Sequence, residues 1–98
     1  MSSTTFISDT SATLVGKGPV ILLSVIAGLT DPPPAGLTTI DFHNVDSAGA
    51  TLNAANRKLR ISIGATENAF SHTFDGVIFP KGLGVKSSNS INIHVEFD

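Results

Sequence analysis

Cysteine is absent from the chain, which removes disulfides and thiolate metal sites together. A domain of 98 residues has room for one core. Ordering costs of about 1.5 kcal/mol per residue nearly cancel the hydrophobic gain at this size. Oligomerisation is the remaining common source of extra stability. Tryptophan and tyrosine are absent too, so stacking on bases or sugars is poorly supplied. Charge is scarce, at 14% of residues against roughly 25% in an average globular protein. So little charge suggests that a partner covers part of the surface.

The basic residues number six and the net charge is −2, which argues against nucleic-acid binding driven by phosphate neutralisation. Arg57, Lys58 and Arg60 cluster, and a solvated strand start accounts for them. No run of 18 apolar residues occurs, so no membrane-spanning helix is expected. The longest candidate, Val20 to Leu29, is interrupted by Ser24 and Gly28. Met1-Ser2-Ser3-Thr4-Thr5 lacks the basic region of a secretory signal. Synthesis in the cytoplasm is therefore expected.

What the sequence does contain is β-strand alternation. In Ile91-Asn92-Ile93-His94-Val95-Glu96-Phe97 apolar and polar residues alternate strictly, as in a half-buried antiparallel strand. Lys58 to Ile63 repeats the pattern with Leu59, Ile61 and Ile63 inward, and Thr38 to Phe42 does so with Ile40 and Phe42. Val20 to Ala27 is more uniformly apolar. It predicts either a central strand buried on both faces or one whose outer face meets a partner. Shorter strands are expected at Ala12 to Val15, Phe70 to Phe74, Val77 to Phe79 and Gly84 to Lys86.

Gly16 to Pro19, Asp75-Gly76, Lys81-Gly82 and Ser87 to Ser90 carry turn chemistry. The prolines of Asp31 to Gly36 predict a stiff loop. Ala48 to Asn56 predicts a loop with a short helical turn. The sum is an all-β fold. Seven to eight short antiparallel strands over residues 11–98 point to a β-sandwich or a barrel. Residues 1–10 are expected to form a flexible arm or an ordered tail lying on a neighbour. Thr4, Thr5, Phe6 and Ile7 would make its contacts, adding to a neighbour's sheet.

A search for chemistry finds no constellation. His43, His72 and His94 form no short-spaced ligand pair, whereas a metal site needs three or four converging ligands. The carboxylates Asp9, Asp31, Asp41, Asp46, Glu67, Asp75, Glu96 and Asp98 are scattered, without the density of a calcium loop. No serine lies in a Gly-x-Ser-x-Gly context. Gly82-Leu83-Gly84 lacks the third glycine and following helix of a phosphate loop; crowding at a tight turn explains it. No enzyme activity and no cofactor are expected.

The C-terminal half runs from Phe74 through Val77-Ile78-Phe79-Pro80 to Lys81-Gly82-Leu83-Gly84-Val85. A Ser/Asn turn and the final alternating strand follow, and Leu37 to Phe42 lies upstream. This layout, over residues 20–97, resembles small virion proteins of tailed bacteriophages. Gly84 departs from the aromatic residue such proteins often carry there. The resemblance implies a jelly-roll capsid cement (decoration) protein on the capsid exterior. Its partners would be a homotrimer of itself and the major capsid protein or another virion protein. A tail, neck or fibre module is the near alternative, and a carbohydrate-binding module the alternative of another class. Val20, Ile21, Leu22, Leu23, Val25 and Ile26 are the expected subunit-interface residues, because a trimer would bury an apolar strand face that a monomer exposes.

Overall fold

Alternation fixes which side of each strand meets the core, and eight strands result among the described residues. They are β1 (Ser3–Ile7), β2 (Thr13–Lys17), β3 (Val20–Gly28), β4 (Thr38–Asn44), β5 (Arg57–Ile63), β6 (Ala69–Phe79), β7 (Gly82–Ser87) and β8 (Asn92–Phe97). The computed structural model describes residues 2–30, 34–64 and 69–98. In β8, Ile93 and Val95 are buried while Asn92 and His94 face out. Asp31, Pro32 and Pro33 of the proline loop, and Glu67, lie outside the described residues.

Two four-stranded sheets form, in the orders β1-β8-β3-β6 (sheet A) and β2-β7-β4-β5 (sheet B). The antiparallel pairs β1–β8, β2–β7, β3–β6 and β4–β5 nest inside one another along the chain. They describe one long hairpin rolled up, and pairing of β3 with β8 and β4 with β7 joins it into sheets. This is the eight-stranded jelly roll, as expected from the sequence. Between the sheets Phe42, Phe79, Leu22, Ile40 and Leu83 are completely shielded from water. The surface is 5275 Å² for 10.1 kDa, close to the roughly 5,280 Å² that size scaling gives a monomer. The sandwich therefore closes on its own chain.

The uniform apolar run of β3 has a geometric explanation. Leu22 pairs with Val77 and Ser24 with Thr73, so Leu23 stands opposite Phe74, Asp75 and Gly76. On the other side Leu22 pairs with Phe97 and Ser24 with Glu96, so there Leu23 is the extra residue, whereas against β6 the surplus lies on β6. A bulge of this kind shifts the alternation by one. Val20 and Leu22 point inward before it, Val25 and Ala27 after it, and Ile21 and Ile26 point outward. The strand is central in its sheet but buried on one face. This corrects the interface expectation: Val20, Leu22 and Val25 belong to the chain's own core, and Leu23 is half-buried in the bulge. Only Ile21 and Ile26 of that set are open to a partner.

Three further expectations change. Over Ser3–Ile7 the arm is strand β1 of the chain's own sheet, with Thr4 opposite Glu96, Thr5 opposite Val95 and Phe6 opposite His94. Ile7 is buried in the core, and its alternation with Phe6 secures the register. Asp75-Gly76 is not a hairpin turn. It lies inside the continuous strand β6, where Gly76 takes a positive φ of 86° in the bulge. Residues 45–56 form turns without a helix. There the Asn53 side chain accepts from the amides of Ala55 and Asn56, offering the backbone an alternative to helical bonding.

Gly82-Leu83-Gly84 opens strand β7, and the crowding expected of it is real. A Cβ at Gly82 would lie 2.5 Å from the Val45 carbonyl oxygen and 2.7 Å from that of Gly16. Neither backbone can retreat, and φ at Gly82 is 147°. Gly82→Ala is therefore expected to cost on the order of 3 kcal/mol. Gly36→Ala, at φ 85° but in open space, should cost only about 1 kcal/mol. Urea unfolding of the two variants measures the difference; equal midpoints would refute the steric account.

Candidate interaction surface

The outer face of sheet A is assembled by register. Phe6 lies opposite His94, His94 opposite Ile26, and Ile26 opposite Ser71, one row crossing all four strands. Ile21 and Ile78 form a second apolar pair farther along β3 and β6. Phe6, Ile26 and Ile78 are each more than half exposed, at 54%, 53% and 54%, and Ile21 is 37% exposed. The Phe6 and His94 rings lie 4.9 Å apart.

Beside this row runs a polar one of Thr4, Glu96, Ser24 and Thr73. The Ser24 hydroxyl donates to Glu96 Oε1 at 3.0 Å and the Ser2 hydroxyl to Oε2 at 3.2 Å. Thr4, Ser24, Ile26, His94 and Glu96 line a depression of about 200 Å³. That is below the roughly 300–1,000 Å³ of small-molecule pockets. The feature is relief on a contact face.

Charge is divided between the sheets. The strands of sheet A carry no lysine or arginine, and their only carboxylates are Asp75 and Glu96. The bases are Lys17 on β2, Arg57, Lys58 and Arg60 on β5, Lys86 on β7, and Lys81 in the turn before it. Lys86, Asp41 and Arg60 sit side by side across sheet B. Arg60 donates Nε to Asp41 Oδ1 at 2.6 Å and Nη2 to Oδ2 at 2.9 Å, a two-pronged pair. Arg57 stands 4.0 Å away. The basic cluster is thus more than a solvated strand start, since it neutralises Asp41. Lys58 spans the gap between the sheets and donates to the Ile78 carbonyl at 2.5 Å.

A second, smaller apolar patch lies at the open edge of sheet A. Phe70 and His72 pair with Ala27 and Val25, and so face inward by register. Phe70 and Phe74 pack half-buried against the core. His72, exposed between them, has its ring 4.6 Å from Phe74 and 6.2 Å from Phe70. Lys58 stands at the same edge, its ammonium 5.5 Å from the Phe79 ring centre.

The three histidines therefore occupy separate places. His43 is buried, with Nδ1 2.7 Å from Asn56 Oδ1. The Asn56 amide donates Nδ2 to the Thr51 carbonyl at 2.8 Å. That leaves its oxygen as the acceptor and assigns the proton to His43 Nδ1. Among the described residues no three His, Cys, Asp or Glu side chains gather as metal ligands, and no helix is long and apolar enough to cross a membrane. Sequence reading missed Ile78 as a surface residue. The signal was the run Val77-Ile78-Phe79, in which a half-buried strand must send one residue out.

The Arg60 hydrogen bonds hold the Asp41 carboxyl below its ordinary value, against the opposing effect of burial. A carboxylate with a depressed folded-state pKa stabilises the fold above the unfolded value, near pH 4, and loses that contribution as pH falls through the folded value. Asp41→Asn should therefore lower the urea midpoint at pH 7 and flatten its decline on the acid side. Identical acid limbs in the two proteins would show that the pair contributes nothing.

No protein-family model matches this chain, and no curated protein matches it in sequence.

Proposed function

We propose that this chain is a virion structural protein of a tailed bacteriophage, a capsid cement protein that acts as a homotrimer on the capsid exterior. The supporting observation is the outer face of sheet A. Phe6, Ile21, Ile26 and Ile78 point away from the chain's own core on a sheet without a basic residue. Exposed apolar residues gathered on one sheet face, here in two groups with the Thr4, Glu96, Ser24 and Thr73 row between them, are the kind of surface that marks an interaction site. The jelly-roll topology and the Lys81 to Val85 segment support the virion assignment.

The physics of such a role suits a small subunit. Linking three copies makes each further capsid contact intramolecular, so weak contacts hold the trimer in place together. A rigid sandwich with its own complete core needs no folding on arrival, which avoids the ordering cost that weakens binding. A tail, neck or fibre module would use the same fold and a different partner.

Light scattering over a concentration series should give the mass of a trimer, three times 10.1 kDa or about 30 kDa. Purified protein should co-sediment with empty heads of the phage that encodes it. Co-sedimentation with isolated tails instead would move the assignment to the tail. Binding to neither would remove the virion reading.

A further inference from the structure

We infer that the β1 edge of sheet A accepts an extended strand of another protein, and that this strand carries a lysine or arginine two positions from an apolar residue. The base seats against Glu96 and the apolar side chain lies beside Phe6. The inference goes beyond the virion reading and does not depend on it, since it concerns what one sheet edge recognises.

The backbone selects the form of the partner. The two sheets end in the edge strands β1, β6, β2 and β5. An edge strand presents unpaired amide and carbonyl groups to any passing strand, and proteins guard such edges with charged side chains, proline or a bulge. Three of these edges are guarded. Strand β2 is bulged between Leu14 and Gly16 and ends in Lys17. Strand β5 carries Arg57, Lys58 and Arg60. Strand β6 is broken by its bulge at Phe74, Asp75 and Gly76, and Lys58 already donates to its Ile78 carbonyl. Strand β1 has none of these devices. Ser3-Thr4-Thr5-Phe6-Ile7 holds no charge, proline or glycine, and it pairs with β8 in unbroken register from end to end. Its only strand neighbour among the described residues is β8. What completes an open edge of this kind is a further strand.

The side chains select the composition of that strand. A strand added beside β1 extends the rows that already cross the sheet. One of its outward residues falls in line with Thr4, Glu96 and Ser24, and the next, two positions on, with Phe6, His94 and Ile26. Covering the edge takes Glu96 further out of water. The Ser24 and Ser2 hydroxyls each donate to one of its oxygens, but they leave its charge unopposed. The strands of sheet A bring no lysine or arginine. A carboxylate desolvated without an opposite charge is costly, so the incoming strand must supply the base. Thr4, which stands between the new strand and Glu96, is small. The depression of about 200 Å³ lined by Thr4, Ser24, Ile26, His94 and Glu96 has room for a long side chain. Lysine and arginine lay their stems along such a surface and carry the charge to its far end. In the next row Phe6, more than half exposed, offers its ring to an apolar cross-strand neighbour. A second copy of β1 would complete the edge but brings no base to Glu96, which favours a foreign strand.

The probe is a short fluorescent peptide with a lysine at its centre, isoleucine two positions to either side and threonine elsewhere. This pattern reads the same in both strand directions. Fluorescence anisotropy should show saturable binding to the full chain. Replacing the peptide's lysine by glutamate should weaken binding about tenfold or more, and so should Glu96→Gln in the protein. Circular dichroism verifies that this variant folds. Hydrogen exchange should show alternate amides of residues 3–7 open in the protein alone and protected once the peptide is bound. Absence of saturable binding, binding indifferent to Glu96→Gln, or β1 amides that stay open in the complex would each overturn the inference. Alternate amides already protected in the protein alone would do so too, by showing that a second copy occupies the edge. Head co-sedimentation has no part in this test, so the virion reading stands or falls separately.

Discussion

A half-buried strand can offer only every second residue to the core, and β3 breaks that count at Leu23. The break is shared by both neighbours of the strand, so the whole of sheet A is organised around it. Without it, a single alternation along β3 would send either Val20 and Leu22 or Val25 and Ala27 to the outside. The single extra residue lets all four be core and turns Ile21 and Ile26 outward. On the β6 side the same irregularity needs a residue that accepts positive φ, and Gly76 supplies it. The exposed apolar row and the closed core thus have one cause.

Legibility followed from this rule. Strands β5 and β8 alternate without interruption, and their inward faces could be read residue by residue. Strand number and turn spacing narrowed the fold to a sandwich or a barrel, and the jelly-roll order was expected only from the resemblance of the layout to small virion proteins. Where alternation was interrupted, reading stopped. Val20 to Ala27 looked uniformly apolar because an inward run changed parity in mid-strand, and half of the interface assigned to it belongs to the core. Asp75-Gly76 has the composition of a hairpin turn, yet tertiary pairing drew it into β6. Residues 1–10 looked like an arm because Ser and Thr dominate them. The partner that fixes β1 is β8, some ninety positions away, and local composition carries no trace of it.

The scarcity of charge gains meaning from its placement. Spread evenly, six bases would give each sheet a share. Here sheet A has none, and sheet B with its bounding turn has all of them. One of those bases, Arg60, forms a fork on Asp41, and another, Lys58, ties the two sheets at their open edge. An exposed ion pair contributes little to stability, so the fork is better understood as a way to keep this side hydrated and its register specified. The strands of the opposite side are left free of lysine and arginine. Those are the groups whose desolvation would oppose a contact.

The row Phe6–His94–Ile26 also links the contact surface to completion of the fold. Its three members come from β1, β8 and β3, and pairing β1 with β8 joins the most distant segments of the rolled hairpin. Closing so long a loop carries the largest entropic cost of any pairing in the molecule, and non-local pairings of this kind slow folding. Until that pairing exists, Phe6 and Ile26 are separate apolar residues. Once β8 lies between β1 and β3 they become one surface. A partly folded chain therefore lacks the continuous patch, and the contact it offers a partner is a property of the finished sandwich alone.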